Sequence, residues 1–238
     1  RTLKAVTVRE SRLRWPVSDA LYALKDCPVI ALRRRAKYLL IELEAGQVMI
    51  HLGMSGTLRV VEAALPLRKH DHVDLLLDSG KVLRFNDPRR FGSVLYQPGG
   101  EPHSLLAALG PEPLGEGFDG DWLFARSRSR KVAVKSFIMD NATVVGVGNI
   151  YANEALFKAG IHPKRKAGRI SLDRYHKLAE AIRETGAVVN GFLLHGGTST
   201  VVAAGRDAEG RPLDLRPHAE RPVIPPRLTV SDLLFVAD

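Results

Sequence analysis

Residues 144–163 read VVGVGNIYANEALFKAGIHP, and the chemistry this stretch can offer is the holding of an anion. Gly146 and Gly148 let a ligand approach the backbone closely, and Asn149 suits the N-cap of a helix over Ile150–Ala159. A helix start exposes amide N–H groups and partial positive charge, so a phosphate oxygen fits there. A tight turn between packed helices is the plainer alternative. Tyr151 stands where a dinucleotide fingerprint carries its third glycine, and a helical region precedes the stretch, which excludes a Rossmann reading. Gly160, Ile161 and Pro163 end the helix. The connection that follows, 160–171, carries His162, Lys164, Arg165, Lys166 and Arg169. A helix, two turns and a helix with this charge could grip a nucleic-acid backbone, although a basic loop is also simply well solvated. His70 and His72 flank Asp71 on one strand face, but two imidazoles without a third convergent ligand make a poor zinc site, and no metal is expected.

The elements that must position these groups change character near residue 100. Before it, short apolar or alternating runs are separated by turn signals: a strand at 3–10, a hairpin over 38–52 about Glu44-Ala45-Gly46, and another over 72–85 about Asp78-Ser79-Gly80. No helix-length segment separates these pairs, which predicts an antiparallel sandwich or barrel. After a Gly/Pro-rich linker at 96–102, the period turns helical. A short helix lies in 104–110, one or two lie in the basic stretch 118–140, and a long one, with Ser171 as N-cap, places Leu172, Tyr175, Leu178, Ile182 and Val189 on one face. The fold class is therefore α+β. The domain reading is residues 1–100 for the β-sandwich, 101–200 for the helical domain and 201–238 for an irregular Pro-rich tail.

Composition narrows the partners. In 238 residues, Lys and Arg outnumber Asp and Glu by 35 to 26, a formal charge of +9 that favours polyanions, nucleic acid ahead of an anionic membrane surface. No run of eighteen apolar residues exists, and the chain opens on no leader-like pattern, so a cytoplasmic, nucleoid-associated location is the expectation. The single cysteine, Cys27, excludes an intramolecular disulfide and reads as a small buried hydrophobe.

Several stretches together resemble the formamidopyrimidine-DNA glycosylases, bacterial base-excision enzymes for oxidised purines: RLRWPVSDALY (12–22), RRAKYLLIEL (34–43), HLGMSGTLRV (51–60), KHDHVDLLL (69–77), LRFNDPRRFGSVL (83–95), LGPEPL (109–114) and the stretch 135–163 that ends in the segment quoted above. The resemblance covers roughly residues 3–198 and implies a β-sandwich followed by a helix-two-turn-helix domain, which bind damaged double-stranded DNA between them as a monomer and swing the lesion out. It implies that Met54, Arg89 and Phe91 fill the vacated stack, that Lys37 contacts the phosphate beside the lesion, that His70 and Asn149 contact the DNA backbone, and that Lys135 lies near the lesion pocket.

The resemblance also implies parts that these residues do not supply. The family's nucleophile is an N-terminal proline followed by glutamate, whereas this sequence opens Arg1-Thr2, within the family's first strand. The family's zinc finger needs four cysteines, so no cofactor is expected here. Similarity stops abruptly near Thr198, which a reading-frame slip or an incomplete sequence explains better than gradual divergence. The expectation is a DNA glycosylase and apurinic-site lyase by family, with turnover by this chain near background. A catalytically dead damaged-DNA-binding protein is the alternative, and an RNA-binding helix-two-turn-helix module ranks behind both.

Overall fold

The computed structural model describes residues 1–100 and 102–187, and short strands within 193–228. Alternation of apolar residues about tight turns produces the two expected hairpins: β3 (Tyr38–Leu43) with β4 (Gly46–His51), and β6 (Asp71–Leu77) with β7 (Lys81–Asn86). The expected first strand is β1 (Thr2–Val8). Three further strands are not delimited by the sequence pattern: β2 (Cys27–Arg35), β5 (Thr57–Glu62) and β8 (Ser93–Pro98). In β2, consecutive arginines at 33–35 mask the alternation, because their stems can lie along the sheet while their heads reach water.

Two antiparallel layers result, β5-β7-β6-β1 and β2-β3-β4-β8, joined where Leu3 of β1 pairs with Cys27 of β2. Leu58, Val73, Leu75 and Phe85 from one layer share a single core with Leu39, Ile41, Val48, Ile50 and Val94 from the other, which makes the unit a β-sandwich. Strand β9 (Leu193–Gly196) runs parallel to β5 and pairs with β10 (Ser199–Val202), and β11 (Arg227–Leu228) pairs with β2. All three belong to this first unit rather than to the helical one. The remainder of the Pro-rich 201–238 segment, like Val189, lies outside the described residues.

On the face of β6 and β7 turned from that core, charges are buried in pairs. Arg59 Nη2 donates to Asp71 at 2.7 Å, and Arg84 reaches Asp74 through Nε and Nη2, each at 2.9 Å. Burial opposes ionisation of Asp74, but its bonds from Arg84 and Arg9 win and hold its carboxyl below the usual carboxylate range.

Strand directions decide where the candidate site can form. Tyr38 pairs with His51, His51 with Ser93, Asn86 with both Thr57 and Asp71, and Val8 with Val73. The connections at 36–37, 52–56, 68–70 and 87–92 therefore crowd one end of the sandwich. The hairpin turns at 44–46 and 78–80 lie at the other.

The first unit also holds one helical turn, α1 (Asp19–Tyr22), and the second unit holds α2 (Ser104–Ala107), α3 (Gly120–Ser127), α4 (Val134–Met139), α5 (Asn149–Lys158) and α6 (Leu172–Ala187). Phe118, Leu123, Phe137, Leu156, Tyr175 and Ile182 form its separate core. Helix α5 ends as its letters predict. Gly160 turns left-handed (φ +64), its N–H donates to Phe157 O at 3.0 Å, and that of Ile161 donates to Leu156 O at 2.9 Å. Its start differs. Gly148, extended at φ −90 and ψ −177, is the N-cap, and Asn149 is the first helical residue with no capping bond from a side chain. Glycine takes the cap here at little cost, which leaves the Asn149 amide exposed on the first turn.

Candidate nucleic-acid interface

Each tip at the crowded end of the sandwich is shaped by a left-handed residue: Ala36 (φ 53) before Lys37, Gly53 (φ 64) before Met54, His70 itself (φ 74), and Arg90 (φ 57) between Arg89 and Phe91. Outside glycine this conformation costs about 1–2 kcal/mol per residue, so surrounding contacts must hold it. At Gly53 the contact is backbone against backbone, and at Gly92 it is with the His51 carbonyl and the Phe85 ring. A Cβ on Gly53 would lie 2.5 Å from the Phe91 carbonyl carbon, and one on Gly92 would lie 2.6 Å from His51 O. The Met54 and Phe91 loops thus touch through their main chains.

What they present is unusual for apolar side chains. Met54 is 73% exposed and Phe91 49%, so neither belongs to the core, the plainer role for such residues. The Arg89 guanidinium lies 5.6 Å from the centre of the Phe91 ring, a cation–π arrangement. Flexible, flat and cationic groups thus project from one end of a rigid sandwich, a combination suited to entering a base stack.

Beside them stands His51, which no sequence signal singles out although it lies in HLGMSG. His51 Nδ1 accepts the Gly53 N–H at 2.9 Å, and its ring meets the Tyr38 ring at 4.9 Å. Burial first, then the charges of Arg14 and Lys37, push its pKa down to about 4. At neutral pH it is an uncharged imidazole with its proton on Nε2. Lys37 is exposed at the β2–β3 turn, and partial desolvation lowers its ammonium pKa. Lys37 and His51 therefore pair a point charge with a neutral donor.

His70 occupies the neighbouring tip, half-buried, on a turn held by Asp71, whose carboxylate accepts the Arg68 N–H at 2.8 Å and the Asn86 amide at 2.9 Å. The His72 ring stands edge-on to that of His70, with centres 5.9 Å apart. Its Nε2 bonds Asp87 O at 2.8 Å, and among the described residues no group of three His, Cys, Asp or Glu converges as a metal site. Cys27 is half-buried at the β1–β2 junction, its thiol donating to Lys25 O at 3.4 Å.

In the second unit, the exposed Asn149 and half-buried Lys135 sit on helix first turns. The start of α4 is stitched to the basic connection: Val134 N–H donates to Arg165 O at 2.8 Å, Lys135 N–H to Pro163 O at 3.2 Å, and Ala167 N–H to Val132 O at 2.9 Å. These bonds bring Lys131 and Lys135 alongside Lys164 and Lys166. The two turns between α5 and α6, the second a 3-10 turn at Ala167–Arg169, are fixed from within by the Tyr175 hydroxyl, which donates to Ala167 O at 3.0 Å. Among the described residues no helix is long and apolar enough to cross a membrane.

Known proteins share this arrangement. The sequence profile of the formamidopyrimidine-DNA glycosylase N-terminal domain matches residues 1–94, and that of the formamidopyrimidine-DNA glycosylase H2TH domain matches 109–199. Formamidopyrimidine-DNA glycosylase of Alcanivorax borkumensis is 81% identical over 183 residues, 77% of this chain and 68% of the relative. That of Marinobacter nauticus is 60% identical over 199 residues, 83% of this chain and 73% of the relative. Lactococcus lactis Fpg in complex with DNA containing an abasic site superposes with a TM-score of 0.71 at 27% identity, covering 77% of this chain and 69% of that one. Two profiles that span most of the sequence, relatives of this identity and a common fold agree: the chain belongs to the formamidopyrimidine-DNA glycosylase family.

Proposed function

We propose that this chain forms the damage-recognition scaffold of a base-excision enzyme for oxidised purines, 8-oxoguanine and formamidopyrimidines, with associated apurinic-site lyase chemistry. One observation carries the reading: Met54 and Phe91 stand exposed on two loops whose backbones touch, with Arg89 on the Phe91 ring and Lys37 and His51 beside them. Extruding a nucleotide costs a few kcal/mol, and apolar wedges that fill the gap offset that cost. Met54 and Phe91 would fill it, and Arg89, with donors only, would bond the acceptor edge of the orphaned base. Lys37, His51 and His70 would hold phosphates near the extruded nucleotide, and Asn149 and Lys135 those reached by the helical unit. The Lactococcus lactis Fpg, whose structure is a complex with DNA containing an abasic site, supports this choice of partner.

Excision coupled to strand cleavage needs an amine that attacks the sugar C1′ as the base leaves. The resulting Schiff base permits elimination, which breaks the strand at the 3′ phosphate. We propose that Arg1 does not supply that amine. Arg1 lies at the opposite end of β1 from the tips, since Thr2 N–H donates to Asp78 at 3.0 Å and Val8 pairs with Val73. A seven-residue strand separates them, about 20 Å. The role assigned to the described residues is accordingly damaged-DNA binding. Borohydride trapping on duplex DNA with 8-oxoguanine opposite cytosine tests this, beside a version preceded by the family's Pro-Glu segment. A covalent adduct with the extended version alone supports the proposal. An adduct with the chain as it stands would show that another amine acts.

A further inference from the structure

We propose that Asp87 is a positioning residue that joins the Met54 loop and the Arg89–Phe91 loop into one wedge, an inference that rests on the DNA-binding reading above. Asp87 is fully buried, with 0% exposure, yet it lies among the most exposed apolar side chains of the unit. Its carboxylate serves both loops. One oxygen accepts the Ser55 hydroxyl at 2.5 Å and the Arg89 N–H at 3.3 Å, and the other accepts the Gly92 N–H at 2.7 Å.

Its main chain reaches the third tip. The Asp87 N–H donates to His70 O at 3.1 Å, and its carbonyl accepts the Arg90 N–H at 3.3 Å and bonds His72 Nε2 at 2.8 Å. The side chain and the main-chain N–H and C=O of this one residue therefore tie together the tips that carry Met54, His70, Arg89 and Phe91.

The bonded donors are also the ones that a wedge requires. The Ser55 bond fixes the residue after Met54, and the Gly92 bond fixes the residue after Phe91. Between them Arg90 is held left-handed, a conformation that no local preference of arginine supplies. The Arg89 and Gly92 N–H groups can only donate, one to each carboxylate oxygen, whereas the Ser55 hydroxyl can also accept. An amide in place of the carboxylate keeps shape and volume but turns one N–H2 toward either Gly92 N–H or the Ser55 and Arg89 donors. Asp87→Asn therefore loosens one loop against the other without emptying the core. Loosened loops cost ordering when the wedge enters a gap, and cost little on an intact duplex, where it does not enter.

The test is equilibrium binding of the chain to duplex DNA carrying a tetrahydrofuran abasic site and to the same duplex undamaged. Asp87→Asn is expected to weaken abasic-site binding about tenfold and undamaged binding less than twofold. It should add less than a twofold loss when introduced into the Met54→Ala/Phe91→Ala protein, because the two wedge side chains are then gone. Ser55→Ala, which removes the Met54-loop bond to Asp87 and the long Arg89 N–H bond to Ser55 Oγ at 3.4 Å but keeps the Gly92 bond, should show the same selectivity with about a threefold loss, and it decides the question if Asp87→Asn fails to fold. Equal losses on both duplexes, or a full tenfold loss in the double variant, would overturn the positioning role. A parent chain that bound both duplexes alike would instead overturn the damage-recognition reading.

Discussion

Gly53→Ala is the substitution most directly calibrated by the structure. The added methyl carbon would lie 2.5 Å from the Phe91 carbonyl carbon, 2.6 Å from Phe91 O and 2.6 Å from Gly92 N. Carbon atoms rest about 3.5–4.0 Å apart, so the overlap is about 1 Å, and no side chain can turn aside because every atom it meets is backbone. Overpacking of this kind costs about 1–3 kcal/mol. The left-handed backbone at φ +64 adds about 1–2 kcal/mol for alanine. A loss of about 2–5 kcal/mol follows. Gly80 isolates the second contribution: it has φ +79 with nothing within 4 Å of its added Cβ, at the far end of the same sandwich. Gly80→Ala should therefore cost only about 1–2 kcal/mol. Urea unfolding of both variants reads the difference, about 1–3 kcal/mol, which belongs to the loop contact. The same Gly53→Ala change, by prising the loops apart, should weaken abasic-site binding, and Gly80→Ala should not. Equal stabilities for the two variants, or unchanged abasic binding by Gly53→Ala, would refute the backbone contact on which the wedge depends.

Three further outcomes test other parts of the site. The His51 pKa of about 4 lies below the ordinary 6.5, so on acidification the unfolded chain takes up this proton first; stability is intact above pH 6.5 and falls between 6.5 and 4. The loss approaches about 3 kcal/mol, and thermal melts across that window should show His51→Gln lacking this component of the decline. Asp71→Asn leaves Arg59, which is 5% exposed, without its charged partner, and should cost about 3–5 kcal/mol in urea unfolding; a loss under 1 kcal/mol would contradict a buried pair. Lys37→Ala should lower the slope of log affinity against log salt by about 1, whereas Asn149→Ala should weaken binding with the slope unchanged, as measured by titration of a labelled duplex at several salt concentrations.

The sequence discloses this architecture unevenly, for physical reasons. The hairpins about Ala45 and Ser79 are local events: a turn residue fixes them, and flanking alternation reports the buried face. The end of α5 is equally local, since glycine, an apolar residue and proline occur where the capping bonds need them. Its start falls one residue earlier than its letters suggest, because asparagine and glycine both cap well and letters alone do not rank them. The resemblance marks Met54, Arg89 and Phe91, but their placement at one end of the sandwich follows from strand pairing across the whole first unit. His51 and Asp87 lie inside the shared motifs, yet nothing in those motifs reveals what they do. His51 is distinguished by a bond to a left-handed glycine two residues on. Asp87 is distinguished by a serine thirty-two residues away. Sequence spacing carries no trace of a contact of that range.

The central claim is that Met54 and Phe91 enter the stack of a damaged duplex. The most direct measurement places 2-aminopurine beside a tetrahydrofuran site and follows its fluorescence at saturating protein, for the parent chain and for Met54→Ala/Phe91→Ala. Unstacking brightens the probe, so a clear rise with the parent and little change with the double variant, both at full occupancy, is the predicted result. An equal rise with both proteins, or none with the parent at saturation, would contradict it.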